Sequence, residues 1–310
     1  MTRDEYDLII IGGGPAGLTA GLYGVRAKLN TLLLEKLPLP GGQIINAWKV
    51  ENYPGFPEGI SGQELVAKME TQAREFGLEI KTGEAKLLNV NGDLKQVVTE
   101  AGKYHSQTLI VATGASPNRL GVAGEEQFIG RGISFCGTCD GFFFKDKEVI
   151  VVGGGDTAME EVLFLTQLVR KVTIIHRRDT LRATKVLQER VFKHDKIEFK
   201  WDTVVETIEG KKAVERVVLK NVRTGELSVQ ETDGILIFVG TTPNTQFLQG
   251  VIALDERGFI LTNDNMETSK PGIFAAGDVR KKLLRQISTA VGDGATAAYA
   301  AEKYIEQFKS

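Results

Sequence analysis

Tyr6-Asp7-Leu8-Ile9-Ile10-Ile11-Gly12-Gly13-Gly14-Pro15-Ala16-Gly17 is the stretch on which the fold turns. A short apolar, β-branched run reads as a strand buried on both faces. Glycines at 12, 14 and 17 suit, in order, a tight turn, close backbone approach to a pyrophosphate, and close helix–strand packing. Pro15 fits the first turn of a helix, and that helix's N-terminus offers oriented N–H groups to negative charge. The next strand, Thr31-Leu32-Leu33-Leu34, ends at Glu35. That is roughly 20 residues beyond the first glycine, where a carboxylate meets ribose hydroxyls. The first turn therefore predicts a dinucleotide with a free ribose.

The same unit recurs. Glu148-Val149-Ile150-Val151-Val152 leads into Gly153-Gly154-Gly155-Asp156-Thr157-Ala158; a helix through about Leu168 follows, then the strand Val172-Thr173-Ile174-Ile175. The offset that reaches Glu35 in the first unit reaches His176 in the second. It opens His176-Arg177-Arg178-Asp179-Thr180-Leu181-Arg182. An acid there would repel a 2′-phosphate, whereas Arg177, Arg178 and Arg182 offer planar forks for one. The second turn predicts NADPH, with Gly153, Gly155, Asp156, Thr157 and Ala158 at the dinucleotide.

Between the two turns lies Cys136-Gly137-Thr138-Cys139-Asp140, holding both cysteines of the chain. This spacing permits a reversible disulfide and depresses one thiol pKa. Asp140 is placed either to shuttle a proton as the disulfide opens or to cap the turn before Gly141. No metal site is expected, because about four ligands are needed and His105 and His194 show no ligand spacing. Two nucleotide sites and one dithiol imply an electron relay, the alternative being two inert buried cysteines.

At 310 residues, 42% hydrophobic and 25% charged, the chain has material for about two domains. A net charge of −2 gives no attraction to nucleic acid or anionic membrane. No apolar run reaches membrane-span length, and the polar start, Met1-Thr2-Arg3-Asp4-Glu5, is unlike a signal peptide. A cytoplasmic setting fits the cysteine usage.

Leu109-Ile110-Val111-Ala112-Thr113-Gly114 and Gly272-Ile273-Phe274-Ala275-Ala276-Gly277-Asp278 read as strands returning to the first domain, with linker-like Ala115-Ser116-Pro117-Asn118 behind the former. A strand over 235–239 precedes a Pro243-Asn244 turn, and a helix rich in Ala and Gly follows over 286–308. The expected fold is α/β: two Rossmann-like dinucleotide-binding domains, one inserted into the other. Hinges fall near 115–118 and 242–246, giving an outer domain of 1–115 with 246–310 and an inserted domain of 118–242.

In this order, Gly12–Gly17, Gly42-Gln43, Glu51-Asn52-Tyr53-Pro54-Gly55, Ala112-Thr113-Gly114, Cys136–Asp140, Gly153–Ala158, His176–Arg182, Gly277-Asp278 and Arg285-Gln286 resemble the low-molecular-weight thioredoxin reductases over almost the whole chain. The resemblance implies an FAD domain interrupted by an NADPH domain carrying the dithiol, a homodimer, and thioredoxin as substrate. It implies that Gly12, Gly14, Pro15, Ala16, Gly17, Gly42, Ala112, Thr113, Gly114, Gly277 and Arg285 contact FAD, and that Glu35 holds its adenosine ribose. Gln43 and Asn52 would line the flavin side, Asp278 the ribityl–pyrophosphate region, and Gln286 and Ile287 the isoalloxazine ring. Cys139 would accept electrons, Cys136 would attack thioredoxin, and Asp140 would act as acid. The inserted domain would rotate between the two half-reactions. Gly137-Thr138 departs from the family, which more often has a small apolar residue first. Asp156 is a smaller variation, suited to capping its helix.

Rival readings are reduction of another disulfide protein, an oxidase that closes a small dithiol, and a flavin carrier with sensor cysteines. The arginine cluster argues against the oxidase, which has no need of NADPH.

Overall fold

The computed structural model describes residues 5–47 and 49–308; Met1–Asp4, read above as a polar start, lie outside them. The chain forms two compact units, one comprising the residues up to Ser116 and from Thr242 onward, the other Pro117–Thr241.

Unit 1 begins with β1 (Glu5–Ile11), α1 (Pro15–Arg26) and β2 (Thr31–Glu35). It continues through α2 (Gly62–Glu75), β3 (Glu79–Thr82), β4 (Leu87–Asn91), β5 (Leu94–Thr99) and β6 (Gly102–Val111). The apolar run of β1 is explained by burial on both faces. Leu8 and Ile10 enter one core with α1 and α2, while Ile9 and Ile11 enter another beneath the opposite face. β1 pairs in parallel with β2 and β6. The long β6 serves two partners on its other edge: β5 along its first half, antiparallel, and a late strand beside Leu109–Val111.

The chain crosses at β7 (Ala115–Pro117) into unit 2. There follow α3 (Glu125–Phe128), β8 (Ile133–Ser134), α4 (Gly137–Asp140), β9 (Glu148–Gly153), α5 (Asp156–Leu165), β10 (Lys171–Ile175) and α6 (Lys185–Phe192). β11 (Ile197–Lys200), the antiparallel β12 (Thr203–Gly210), β13 (Val214–Asn221) and β14 (Leu227–Glu231), and finally β15 (Gly234–Phe238) complete it. Its parallel sheet has the order β11-β10-β9-β15-β8. Val149 and Val151 face one core, Ile150 and Val152 the other. The return is by β16 (Thr241–Pro243). β17 (Ile273–Ala275) then joins β6, and α7 (Ile287–Glu306) ends unit 1.

The structure adds detail to one expectation and corrects another. The segments read as linkers at 115–118 and 242–246 contain short strands, β7 and β16, that pair with each other. Backbone N–H and C=O groups of two adjacent crossings satisfy one another, which no side-chain pattern reveals. The helix of the second unit ends at Leu165, not Leu168, because Gln167 and Leu168 donate to carbonyls three residues back in a tightened last turn. No helix among the described residues is long and apolar enough to cross a membrane.

The small residues of α7 let it approach α1. Gly294 lies against the Ala16 carbonyl, and a Cβ there would collide with that oxygen, whereas Gly292 faces open space. Gly294→Ala should therefore lower the thermal midpoint by the equivalent of about 1–3 kcal/mol, the usual cost of overpacking. Gly292→Ala should leave it unchanged or raise it, since alanine is the better helix former by about 1 kcal/mol. Thermal unfolding of the two holoproteins checks the contrast.

Candidate functional site

In unit 1 the Gly-rich turn is held by contacts that exclude side chains. Gly12 has φ +106°, and a Cβ on it would strike the Ala112 carbonyl. Gly17, inside α1, presses on the Gly12 carbonyl in the same way. Gly14 caps α1 at its N-terminus and has nothing within 4 Å of where a Cβ would stand. The start of the helix, whose first N–H groups lack intrahelical partners, is therefore uncrowded beside Gly14. Gly42, with φ +58°, lies beside Gly14.

Glu35 is buried at the end of β2, and its Oε2 accepts the Gly13 N–H at 2.6 Å while Oε1 accepts the Leu37 N–H at 3.0 Å. The carboxylate therefore shapes the turn as well as bordering a cavity of about 340 Å³, which Gly12, Lys36, Thr113, Asn244 and Phe247 also line. The sequence marks Asn244 only as part of a turn. Its Nδ2 donates to the Thr113 carbonyl at 2.8 Å, and its own carbonyl accepts from Thr113 Oγ1 at 2.8 Å. A reciprocal pair between residues so distant in sequence carries no spacing signal.

Two residues expected on the flavin side are brought together: Asn52 Nδ2 donates to Gln286 Oε1 at 3.0 Å. Gln286 caps α7, forming a capping box with Thr289, and Ile287 is the first residue of that helix. Gln43 sits exposed in the 3₁₀ turn Gly42–Asn46. Arg285 Nε donates to the Asp278 carbonyl at 3.2 Å, and its guanidinium stacks 4.2 Å from the Phe259 ring centroid. Asp293, also missed, accepts from Gly277 N–H (3.0 Å), Lys282 (2.7 Å) and Arg280 (2.9 Å) and so anchors the Gly277-Asp278 turn.

Asp278 tests the fit of a flavin dinucleotide. Burial pushes its carboxyl above its ordinary 3.8, against the pull of Lys282 and Arg285. Its Oδ1 is buried and has no hydrogen-bond partner among the described residues. An unsatisfied buried acceptor costs about 1–3 kcal/mol, which a hydroxyl-bearing ligand would relieve. The unpartnered acceptor, the cavity and the uncrowded helix N-terminus fit a polyhydroxylated dinucleotide.

Unit 2 repeats the scaffold with different chemistry. A Cβ on Gly153 (φ +156°) would come within 2.7 Å of the Phe238 carbonyl, and Gly155, the N-cap of α5, faces open space. Thr157 is exposed in the first turn of α5, and Ala158 is buried beneath Gly153. Asp156 does not cap its own helix; Oδ1 accepts the Thr184 N–H at 2.6 Å, fastening the basic loop to the Gly-rich turn. The Arg182 and Ala183 N–H groups reach the Gly154 carbonyl at 2.8 and 3.1 Å. Arg177, Arg178 and Arg182 are exposed around this tether. His176 is buried, its ring pressed on Gly154, set edge-on to Trp201 and 3.1 Å from the Thr180 carbonyl. Burial lowers its pKa, and the nearby Arg182 and Arg178 act the same way. A neutral imidazole thus fills the place of an acid and shapes the turn by packing.

Cys136 and Cys139 form a disulfide with Cα atoms 5.3 Å apart. Cys136 caps α4, and its Sγ accepts the Cys139 N–H at 3.2 Å. Ser134, unmarked by any motif, organises the turn: its Oγ accepts the Cys136 N–H at 3.1 Å and donates to Asp140 Oδ2 at 2.6 Å. Burial raises the Asp140 carboxyl above its ordinary 3.8, with the Ser134 hydrogen bond opposing. A carboxyl whose pKa burial raises, set beside a disulfide, is suited to acid–base work.

A glycine-cradled nucleotide turn in each unit, with one dithiol in the second, defines a pyridine nucleotide-disulphide oxidoreductase. The family model described as pyridine nucleotide-disulphide oxidoreductase matches residues 6–294. Thioredoxin reductase of Peptoclostridium litorale is 49% identical, with 98% of each chain covered. That of Bacillus subtilis is 48% identical, covering 98% of this chain and 96% of the other. The crystal structure of thioredoxin reductase from Streptococcus pyogenes is 47% identical and superimposes with a TM-score of 0.94, covering 99% of this chain and 100% of that one. The chain belongs to the thioredoxin reductase family. Membership implies a flavin and a pyridine nucleotide as cofactors.

Because folding raises the Asp140 pKa, its neutral form is favoured in the native state. That contribution is fully present below the unfolded value and is lost as pH rises through the folded one. Asp140→Asn, which cannot ionise, should therefore unfold at a higher temperature than wild type at neutral pH. The gap should close as pH falls towards the ordinary carboxylate value. Thermal midpoints across a pH series read the convergence.

Proposed function

We propose that this protein is an NADPH-dependent thioredoxin-disulfide reductase that works through FAD. The carrying observation is the Cys136–Cys139 disulfide, capped onto α4 beside a raised Asp140, in the same unit as the second Gly-rich turn. Unit 1 is proposed as the FAD domain, held through the turn Gly12–Gly17 with Glu35, Thr113 and Asp278. Unit 2 is proposed as the NADPH domain, its basic loop taking the 2′-phosphate. Bound FAD supplies two-electron transfer between a nicotinamide and a disulfide.

The chain's own residues set the remaining chemistry. Once the disulfide is reduced, the Cys136 sulfur lies at a helix N-cap with the Cys139 N–H donating to it, an environment that favours a thiolate. Cys136 is therefore the sulfur to attack the thioredoxin disulfide, giving a mixed disulfide. Cys139 then closes on Cys136 and releases the reduced partner. Asp140 gives a proton to the departing sulfur when the disulfide opens and takes one back when it closes. Dithiol and nicotinamide turn ride on one unit joined to the other by two segments, so we propose that unit 2 rotates between half-reactions. A homodimer and a cytoplasmic location follow the family resemblance.

NADPH oxidation with the host's own thioredoxin tests this reading. Wild type should turn over, and Cys139→Ser should fall to background while still binding flavin. Full turnover in the mutant would refute the dithiol relay. Arg178→Ala should raise KM for NADPH about ten- to a hundredfold, as expected for a lost charge-assisted hydrogen bond, and leave NADH kinetics unchanged. Steady-state kinetics with both nucleotides decide it.

A further inference from the structure

The relay just described makes no use of Glu161, in the second turn of α5. Its Oε2 accepts the Thr138 N–H at 2.9 Å, and a Cβ on Gly137 would collide with the same oxygen. Burial pushes the carboxyl up; the Thr138 N–H opposes that, and the charges of Glu160 and Asp140 reinforce it. Donors at the start of the Cys-x-x-Cys turn are therefore divided. The Thr138 N–H serves a carboxylate, and the Cys139 N–H serves the Cys136 sulfur.

That division bears on redox chemistry. N–H groups at the start of a helical turn stabilise a thiolate and so favour the reduced dithiol, as does any nearby positive charge. A carboxylate that occupies those N–H groups withholds them and adds repulsion. The disulfide is uncharged, so the carboxylate penalises only the reduced form. We propose that Glu161 is a positioning residue that keeps the Cys136–Cys139 couple strongly reducing, by holding the Thr138 N–H away from the Cys136 thiolate and setting a carboxylate against Gly137. The inference rests on the reading of this dithiol as the exchange centre. It also joins the nicotinamide-side helix to the dithiol by a single side chain, since α5 begins at the second Gly-rich turn.

The test is exchange with dithiothreitol. The Cys136–Cys139 bond breaks and the disulfide of oxidised dithiothreitol forms. Two electrons pass to the protein sulfurs, with two protons if both end as thiols and one if Cys136 stays ionised. Holoprotein is equilibrated without oxygen in buffers of graded dithiothreitol ratio, and free thiols are trapped with a maleimide and counted by mass. Glu161→Gln keeps the acceptor and removes the charge. It should shift the equilibrium about tenfold towards the dithiol, or about 30 mV upward, consistent with a neighbouring charge moving a pKa by one unit or more. Alkylation of reduced Cys136 by iodoacetamide at neutral pH should accelerate severalfold. Glu161→Ala should move in the same direction. An exchange constant equal to wild type in Glu161→Gln, with a shift only in Glu161→Ala, would mean a mere anchor and would overturn the proposal. Failure of NADPH to reduce the wild-type disulfide would instead overturn the reading beneath it.

Discussion

Everything in unit 1 depends on one close approach. The Ala112 carbonyl, just past the end of β6, occupies the place where a side chain on Gly12 would begin. Because Gly12 has no Cβ and tolerates a positive φ, the ends of β1 and β6 stay in register while the chain turns sharply into α1. That turn leaves the start of α1 uncrowded beside Gly14, and Glu35 braces it from β2. Unit 2 solves the same problem with Gly153 against the Phe238 carbonyl. Two candidate nucleotide turns follow from two backbone contacts that only glycine permits. They are then differentiated by what stands at the end of the second strand, a carboxylate in one and a neutral imidazole in the other.

The legible parts of the sequence were those for which physics leaves few solutions. Parallel strands buried on both faces must be apolar throughout, and a turn that admits a pyrophosphate must be glycine-rich, so β1, β9, both Gly-rich turns and the dithiol could be read directly. Ser134, Asn244, Asp293 and Glu161 could not. Each acts through a hydroxyl, amide or carboxylate that meets its partner only after folding, and serine or glutamate on a strand or helix is otherwise an ordinary surface residue. His176 was marked by its position, but the contact with Gly154 that explains it belongs to the packed state. Asp156, placed where it could cap its own helix, instead holds Thr184, because the basic loop folds back over the turn.

The dithiol turn shows how few atoms are needed to set its chemistry. Within Ser134–Asp140 one hydroxyl joins a backbone N–H to a carboxyl, one N–H serves a sulfur, and another serves a carboxylate from another helix. The departure at Gly137-Thr138 fits this frame. Gly137 allows the Glu161 carboxylate to lie against the backbone, where a side chain would collide with it. The Thr138 hydroxyl comes within 3.4 Å of the Cys136 sulfur.

The discontinuity of unit 1 has a consequence for biosynthesis. When Ser116 leaves the ribosome, the nascent unit 1 still lacks β17, the edge partner of Leu109–Val111, and α7, the helix that covers α1. Unit 2 is contiguous and can finish folding first. Asp278 and Gln286, placed at the flavin by resemblance, emerge only afterwards. Cofactor capture would then be a late, near-terminal event of synthesis, and a chain stalled before α7 would hold a finished dithiol unit beside an unfinished flavin cradle.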